Sequence, residues 1–299
     1  MREPSTEHAR LFFTSLGCEV EDIAVVEGQK RADLRVTWKE EEYVVEAKFR
    51  EPHREWHAAR EHARANGYAT TSRDIEPWTV LSNTITKARA QLVSTPASPD
   101  AFRVLWVVAL HGDDRFVIDC TEKKLVGTRL LFALRDFYEP PEAIECYYYD
   151  DNEFERCPEI DAAMLCTREG GRLFVNHHSP SRERFRSSYV YSTVNKKGAV
   201  VDAEILVKNG HALMLDVDFK NPRAGNGQWE YIKDKYGVLT SAAIESQFFG
   251  IAITSAPVVS SDTENCRRLG QLTSDAPGRM SDQHADLEVV RGKERDDET

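Results

Sequence analysis

No stretch of this 299-residue chain approaches the roughly 18–20 consecutive apolar residues that cross a bilayer, and its first residues are polar, with no apolar leader core. Membrane insertion and secretion are therefore not expected, and a cytoplasmic location is. Cysteine is sparse. Cys18, Cys120, Cys146, Cys157, Cys166 and Cys266 are scattered, and no pair has the short spacing of a zinc knuckle or a redox dithiol. They read as reduced thiols that pack as small hydrophobes. Positive charge is also short: 39 Lys and Arg against 50 Asp and Glu leave a formal charge of −11. That balance excludes coating of nucleic acid by bulk attraction. It does not fix local charge. From Pro257 onward ten acidic and six basic residues contribute −4 of the total, in a Ser-, Asp-, Arg- and Gly-rich segment too poor in large apolar residues to fold.

What is present is enough apolar residue, 41%, for a core in one large domain or two smaller ones. Thr6 to Leu16 reads as an amphipathic helix, with Ser5 or Thr6 as N-cap, Ala9, Phe12, Phe13 and Leu16 as its apolar stripe, and Gly17 ending it. Glu19 to Val26 reads as a strand, Glu51 to Ala65 as an exposed helix, and Trp78 to Leu92 as a helix with Leu81, Ile85, Ala88 and Leu92 on one side. Phe102 to Leu110 is apolar on both faces, which suits a central strand covered by helices. Later expectations are a strand at Phe116 to Cys120, a helix at Leu125 to Phe137, a strand at Ala143 to Tyr149 and a hairpin at Ala162 to Val175 turning at Gly170-Gly171. A further hairpin, Ala199 to Val207 with His211 to Phe219, would turn at Asn209-Gly210. Helices are expected at Trp229 to Tyr236 and Ser241 to Phe249. The order helix, strands, helix, strand predicts an α/β fold with a mixed sheet flanked by helices over residues 1–180, a smaller α+β accessory region over 181–255, and a disordered tail over 256–299.

Chemistry concentrates between residues 31 and 48. This stretch reads as two short strands around a charged turn. Alternation along the second puts Tyr43, Val45, Ala47 and Phe49 on one face and Val44, Glu46 and Lys48 on the other. On the first strand Asp33 falls opposite the apolar Leu34, Val36 and Trp38, so a tight hairpin gathers two carboxylates and an ammonium in one pocket. Two carboxylates facing one pocket bind a hard divalent cation such as Mg2+ and leave positions for water and a phosphate oxygen. Such a cation polarises phosphorus and acidifies water, and a neighbouring lysine orients that water or offsets developing charge.

This arrangement resembles the PD-(D/E)xK phosphodiesterase superfamily, the restriction-endonuclease-like fold. Its pattern is an acid in an N-terminal helix, an Asp at the start of a strand, then Glu-x-Lys on the next, and the matching residues are Glu7, Asp33 and Glu46-Ala47-Lys48. The resemblance implies Asp33 and Glu46 as metal ligands, a backbone oxygen from Ala47, Lys48 serving the nucleophilic water, and Glu7 as an optional extra acid. Gln91, on the following helix, is placed like glutamines that approach the pocket in some members. Expected partners follow: Mg2+, with Mn2+ substituting, and DNA, with cleavage by a metal-dependent endonuclease. Many members are dimers or belong to larger nucleoprotein assemblies, though no dimer signature is legible here. One departure is Ala32, where a Pro often precedes the Asp. The alternative reading is a non-catalytic nucleic-acid-binding or assembly subunit that keeps the fold.

A bare Glu-x-Lys is weak evidence in a chain 30% charged. Glu122-Lys123-Lys124 has the same form and reads as a solvated turn. Asp202 with Asp216-Val217-Asp218-Phe219-Lys220 is a competing acid, acid-x-Lys series. Arg182, Arg184, Arg186, Lys196 and Lys197, interleaved with Phe185, Tyr189 and Tyr191, suit either contact with nucleic acid or a solvated basic loop. His177-His178 reads as a pair of loop histidines, and Arg54, His57 and Arg60 as a charged helix face near the motif.

Overall fold

The computed structural model describes residues 3–24, 26–50, 68–74, 79–110, 114–216, 227–243 and 248–254, with single helical positions at 58, 61, 62 and 65. All of them belong to one compact unit, Met1–Val259. The expected disordered tail and most of the helix expected at 51–65 lie outside the described residues.

A seven-stranded mixed sheet organises the chain. Its order is β1 (Glu19–Asp22), β2 (Leu34–Trp38), β3 (Glu41–Phe49), β5 (Phe102–Val108), β8 (Ala162–Cys166), β9 (Gly171–Val175) and β10 (Val200–Val201). β2 and β3 form an antiparallel hairpin, and the β3–β5 and β5–β8 pairs are parallel. β5 sits centrally for the expected reason: Val104, Trp106 and Val108 pack on one face while Leu105 and Val107 pack on the other. The first face is covered by helix α1 (Pro4–Ser15) through Ala9 and Phe13. The second is covered by α2 (Thr79–Ser94), whose Leu81, Ile85, Ala88 and Leu92 form the predicted stripe, and by α3 (Asp114–Val126). Burying each such side chain contributes about 1.5–3 kcal/mol.

Helix α1 begins two residues before the expected position. Glu3 stands at its N-cap, Pro4 opens the first turn, and neither Ser5 nor Thr6 acts as the cap; both are buried within the helix. Larger corrections follow. Phe116 to Cys120 is part of α3, since a short continuous apolar run fits helix or strand and the buried positions Val117, Thr121 and Leu125 recur at helical spacing. The helix expected at Leu125 to Phe137 is absent beyond Val126, where α3 ends: β6 (Arg129–Leu134) follows, with Leu131 and Ala133 alternating inward. Gly127 makes the change of element. It has φ of +58°, and a Cβ there would meet the Asp150 carbonyl oxygen at 2.2 Å. Gly127→Ala is expected to destabilise the fold by at least about 2 kcal/mol, read as a lowered urea midpoint.

Asn209-Gly210 does not turn a hairpin. Asp202 caps α7 (Ala203–Lys208) by accepting from the Ile205 N–H, and Gly210, at φ +77°, closes its C-terminus by donating to Val207 O at 3.0 Å. The glycine that suits a two-residue turn suits a helix end equally. β11 (Ala212–Met214) follows and pairs with β7 (Glu142–Tyr147); positions 217–219 of the expected hairpin lie outside the described residues. The helix expected at Ser241 to Phe249 is replaced, where described, by β12 (Thr240–Ala243) paired with β6 and β13 (Phe248–Thr254) paired with β4 (Tyr68–Asp74).

These pairings cross the expected boundary at residue 180 in three sheets, β13 with β4 being one. The four-stranded sheet β11-β7-β6-β12 draws strands from both sides of it, and β10 joins the main sheet next to β9. Phe185, Val190, Tyr191 and Val194 share a core with α1 and β3.

Candidate metal centre

The β2–β3 hairpin reverses at Lys39, which adopts φ of +53°, and its register pairs Leu34 with Val45. One residue before β2, the chain bends. Asp33 donates its N–H to Val45 O at 3.1 Å, and its carbonyl accepts from Ile23 N–H at 2.9 Å. Its side chain then extends the pairing, with Asp33 Oδ2 accepting from the Ala47 N–H at 2.8 Å. In a strand the N–H and C=O of one residue point to the same side. Ala47 therefore directs its carbonyl towards the edge that Asp33 occupies.

Alternation places Glu46 and Lys48 together on the α2 side of the sheet. Glu46 is fully buried and paired through Oε1 with Lys48 Nζ. Lys48 also donates to Gln91 Oε1 at 3.1 Å, and Gln91 Nε2 donates to Arg31 O at 3.1 Å. The end of α2 thus grips the segment that leads into Asp33. Thr95 Oγ1 accepts from Ala32 N–H at 2.8 Å, and Ser94 Oγ donates to Lys30 O. These bonds fix a loop whose own sequence, Gln29-Lys30-Arg31-Ala32, has no strong conformational preference.

The electrostatics are those of too many acids for one cation. Burial, and then the neighbouring Asp33 charge, raise the Glu46 carboxyl to about 8 despite the opposing pull of Lys48. Burial also raises Asp33, against the Ala47 N–H and the Lys48 charge, and Glu3 adds to the rise. Glu46 Oε2 is a buried oxygen that has no hydrogen-bond donor among the described residues. A carboxylate oxygen held without a donor, beside a second carboxylate, has the character of a cation ligand.

Asp33, Glu46, Ala47, Lys48 and Gln91 are therefore adjacent in space. Glu7 lies in the first turn of α1, one turn after the N-cap residue Glu3, and the charge of Glu3 bears on Asp33. A helix starting at Thr6 leaves Glu3 outside it. The Pro-at-first-turn signal at Pro4 is the feature that would have drawn Glu3 in. Among the described residues no group of three or more His, Cys, Asp or Glu is arranged to hold a metal; the carboxylates adjacent here are the pair Asp33 and Glu46.

The competing clusters have structural partners. Glu122 is a buried helix residue paired with Arg172, not part of a solvated turn, and burial pushes its carboxyl up to about 7. Asp202 caps α7 and accepts both arms of Arg186 at 2.7 Å; Asp218 and Lys220 lie outside the described residues. Asp216 pairs with Lys235 at 2.7 Å. In the basic-aromatic segment Arg182 and Arg186 meet Glu204, Phe185 is core, and Tyr189 stacks on Trp38 with ring centroids 4.0 Å apart. That segment is neither a solvated loop nor an open stacking surface. His178 is held at about 4, chiefly by burial, and packs edge-on to Tyr148, while His177 Nδ1 faces Glu204 at 2.5 Å. Arg54, His57 and Arg60 lie outside the described residues.

This chain matches no protein-family model, no curated protein and no solved structure.

Proposed function

We propose that this chain is a Mg2+-dependent endonuclease with a restriction-endonuclease-like core, acting on DNA. The observation that carries the reading is the placement of Asp33 and Glu46 side by side, with Lys48 bonded to Glu46 and to Gln91 of α2. The donor set fits a hard cation: two carboxylates, one with a buried oxygen that has no donor among the described residues, and the edge-facing carbonyl of Ala47. Asp33, Glu46 and Ala47 would hold Mg2+, or Mn2+ in its place. When bound, the ion supplies Lewis-acid stabilisation of the phosphate and a lowered pKa for water.

The remaining work falls to side chains of this chain. An ammonium has three N–H donors; Glu46 and Gln91 take two of those on Lys48, and the third serves the attacking water or a phosphate oxygen. In the proposed reaction the water oxygen bonds to phosphorus as the P–O bond to the leaving oxygen breaks, the water giving up a proton to solvent and the leaving oxygen taking one from solvent. Lys48 Nζ holds the water and offsets the negative charge that grows on the phosphate. Gln91 is a positioning residue, since it holds both Lys48 and the backbone at Arg31. DNA is preferred over RNA by analogy with the resembling superfamily.

The test is incubation of supercoiled plasmid, linear duplex, branched and single-stranded DNA with the purified chain in Mg2+, with and without chelator. Cleavage that requires the metal is expected. DNA bound but left intact in every case would favour the non-catalytic assembly subunit.

A further inference from the structure

The hydrogen-bond ladder of β3 continues one residue past Phe49, because the Arg50 N–H donates to Val108 O at 2.8 Å. Strand alternation then puts the Arg50 side chain on the face that carries Glu46 and Lys48. It lies one strand repeat beyond Lys48, about 7 Å along the strand.

Arg10, Arg35, Arg89, Arg129, Arg168 and Arg172 each meet a carboxylate. Arg50 is half-buried, and among the described residues its Nε is buried without an acceptor and no carboxylate pairs with it. Among the described residues Arg103 also has a buried Nε without an acceptor, but its charge bears on Asp161 and Glu159. Burial depresses the pKa of Arg50, and among the described residues no acidic neighbour offsets the loss of solvation. In a chain with 50 acidic residues available, a partly desolvated cation left without one is costly to the fold. Side chains held against stability in this way belong to binding sites. A planar fork of donors beside two metal-ligand carboxylates and a lysine matches the non-bridging oxygens of a phosphodiester.

We propose that Arg50 is a substrate-binding residue that takes non-bridging phosphate oxygens of the nucleic-acid strand lying across Glu46 and Lys48. This inference rests on the endonuclease reading. It assigns Lys48 to the reacting water and Arg50 to the register of the backbone. A nucleic-acid phosphate supplies the anion that no carboxylate of the described fold supplies.

The test uses the full chain and Arg50→Met and Arg50→Lys variants. Duplex binding is measured in a Lys48→Ala background over 50–200 mM salt, and cleavage in the otherwise native chain. Removing one phosphate contact is expected to reduce the slope of log affinity against log salt by about 1. Arg50→Met should therefore lose that slope, bind about tenfold more weakly at the lowest salt, and raise KM more than it lowers kcat. Its thermal midpoint should equal or exceed that of the parent, because methionine removes a half-buried cation that no carboxylate among the described residues pairs with. Arg50→Lys should keep the slope and recover part of the affinity. Binding, slope and KM unchanged in Arg50→Met overturn the inference, as does a midpoint several degrees lower, which would assign Arg50 to the fold. Absence of cleavage by the native chain overturns the endonuclease reading itself, and so separates the two failures.

Discussion

Glu46→Gln is expected to lower DNA cleavage by about a thousandfold or more while flattening the pH dependence of stability in the metal-free protein. On the proposed reading the activity loss follows from replacing a charged carboxylate by a neutral amide oxygen, a much weaker ligand for Mg2+. The stability effect follows from linkage. The Glu46 carboxyl rises from 4.5 to about 8 on folding, so the folded protein binds a proton that the unfolded chain releases. Such a group contributes fully below the unfolded value, and its contribution is lost as pH rises towards the folded value. The native chain in chelator should thus lose stability between about pH 4.5 and 8. At full ionisation a shift of that size corresponds to roughly 5 kcal/mol. Glutamine carries no titrating proton, and its amide can donate to the Asp33 carboxylate, so most of that slope should disappear. Urea denaturation in chelator at pH 5 and pH 8 reads the difference directly. Equal slopes in the two proteins would show that Glu46 does not carry the buried proton. Lys48→Ala is the contrasting change: it removes the cation paired with Glu46 and should reduce both stability and turnover.

How much of this was legible in the sequence depends on what fixes each residue. Glu46 and Lys48 share a face because strand geometry repeats every second residue, and Gln91 follows because Leu81, Ile85, Ala88 and Leu92 fix the rotation of α2. Asp33 was legible as a strand-start acid. Its bond to the Ala47 N–H was not, because it depends on a backbone bend that pairs Asp33 with both β1 and β3. Glu3 was missed because Ser5 and Thr6 look like good caps, while the chain uses Pro4 to open the helix and buries both hydroxyl residues. The second half of the fold was harder for a different reason. Phe116 to Ile118 and Leu130 to Leu134 are short apolar runs that suit either element, and Gly127 and Gly210 mark helix ends as readily as turns. Membership of the basic-aromatic segment in the main core depends on pairs such as Arg186–Asp202 and Trp38–Tyr189, which are distant or unpatterned in sequence.

Magnesium affinity is expected to climb about tenfold per pH unit between roughly pH 6 and 7.5 and to level off above about pH 8. Below that value Glu46 holds a proton in the folded protein, and a cation that uses both carboxylates must displace it. One proton released per ion gives a tenfold change per unit. Burial raises Asp33 in the same direction, opposed by the Ala47 N–H and the Lys48 charge. The same linkage predicts that added Mg2+ raises the thermal midpoint most at pH 8, where the metal-free protein bears the full repulsion between its carboxylates. Chelator should reverse that rise. Titration calorimetry at pH 7 in buffers of different ionisation enthalpy counts the released protons, with about one expected and none expected for Glu46→Gln. An affinity independent of pH, with no proton released, would mean that any bound ion does not use Glu46. The proposed metal centre would then have to be abandoned, even if the chain cut DNA.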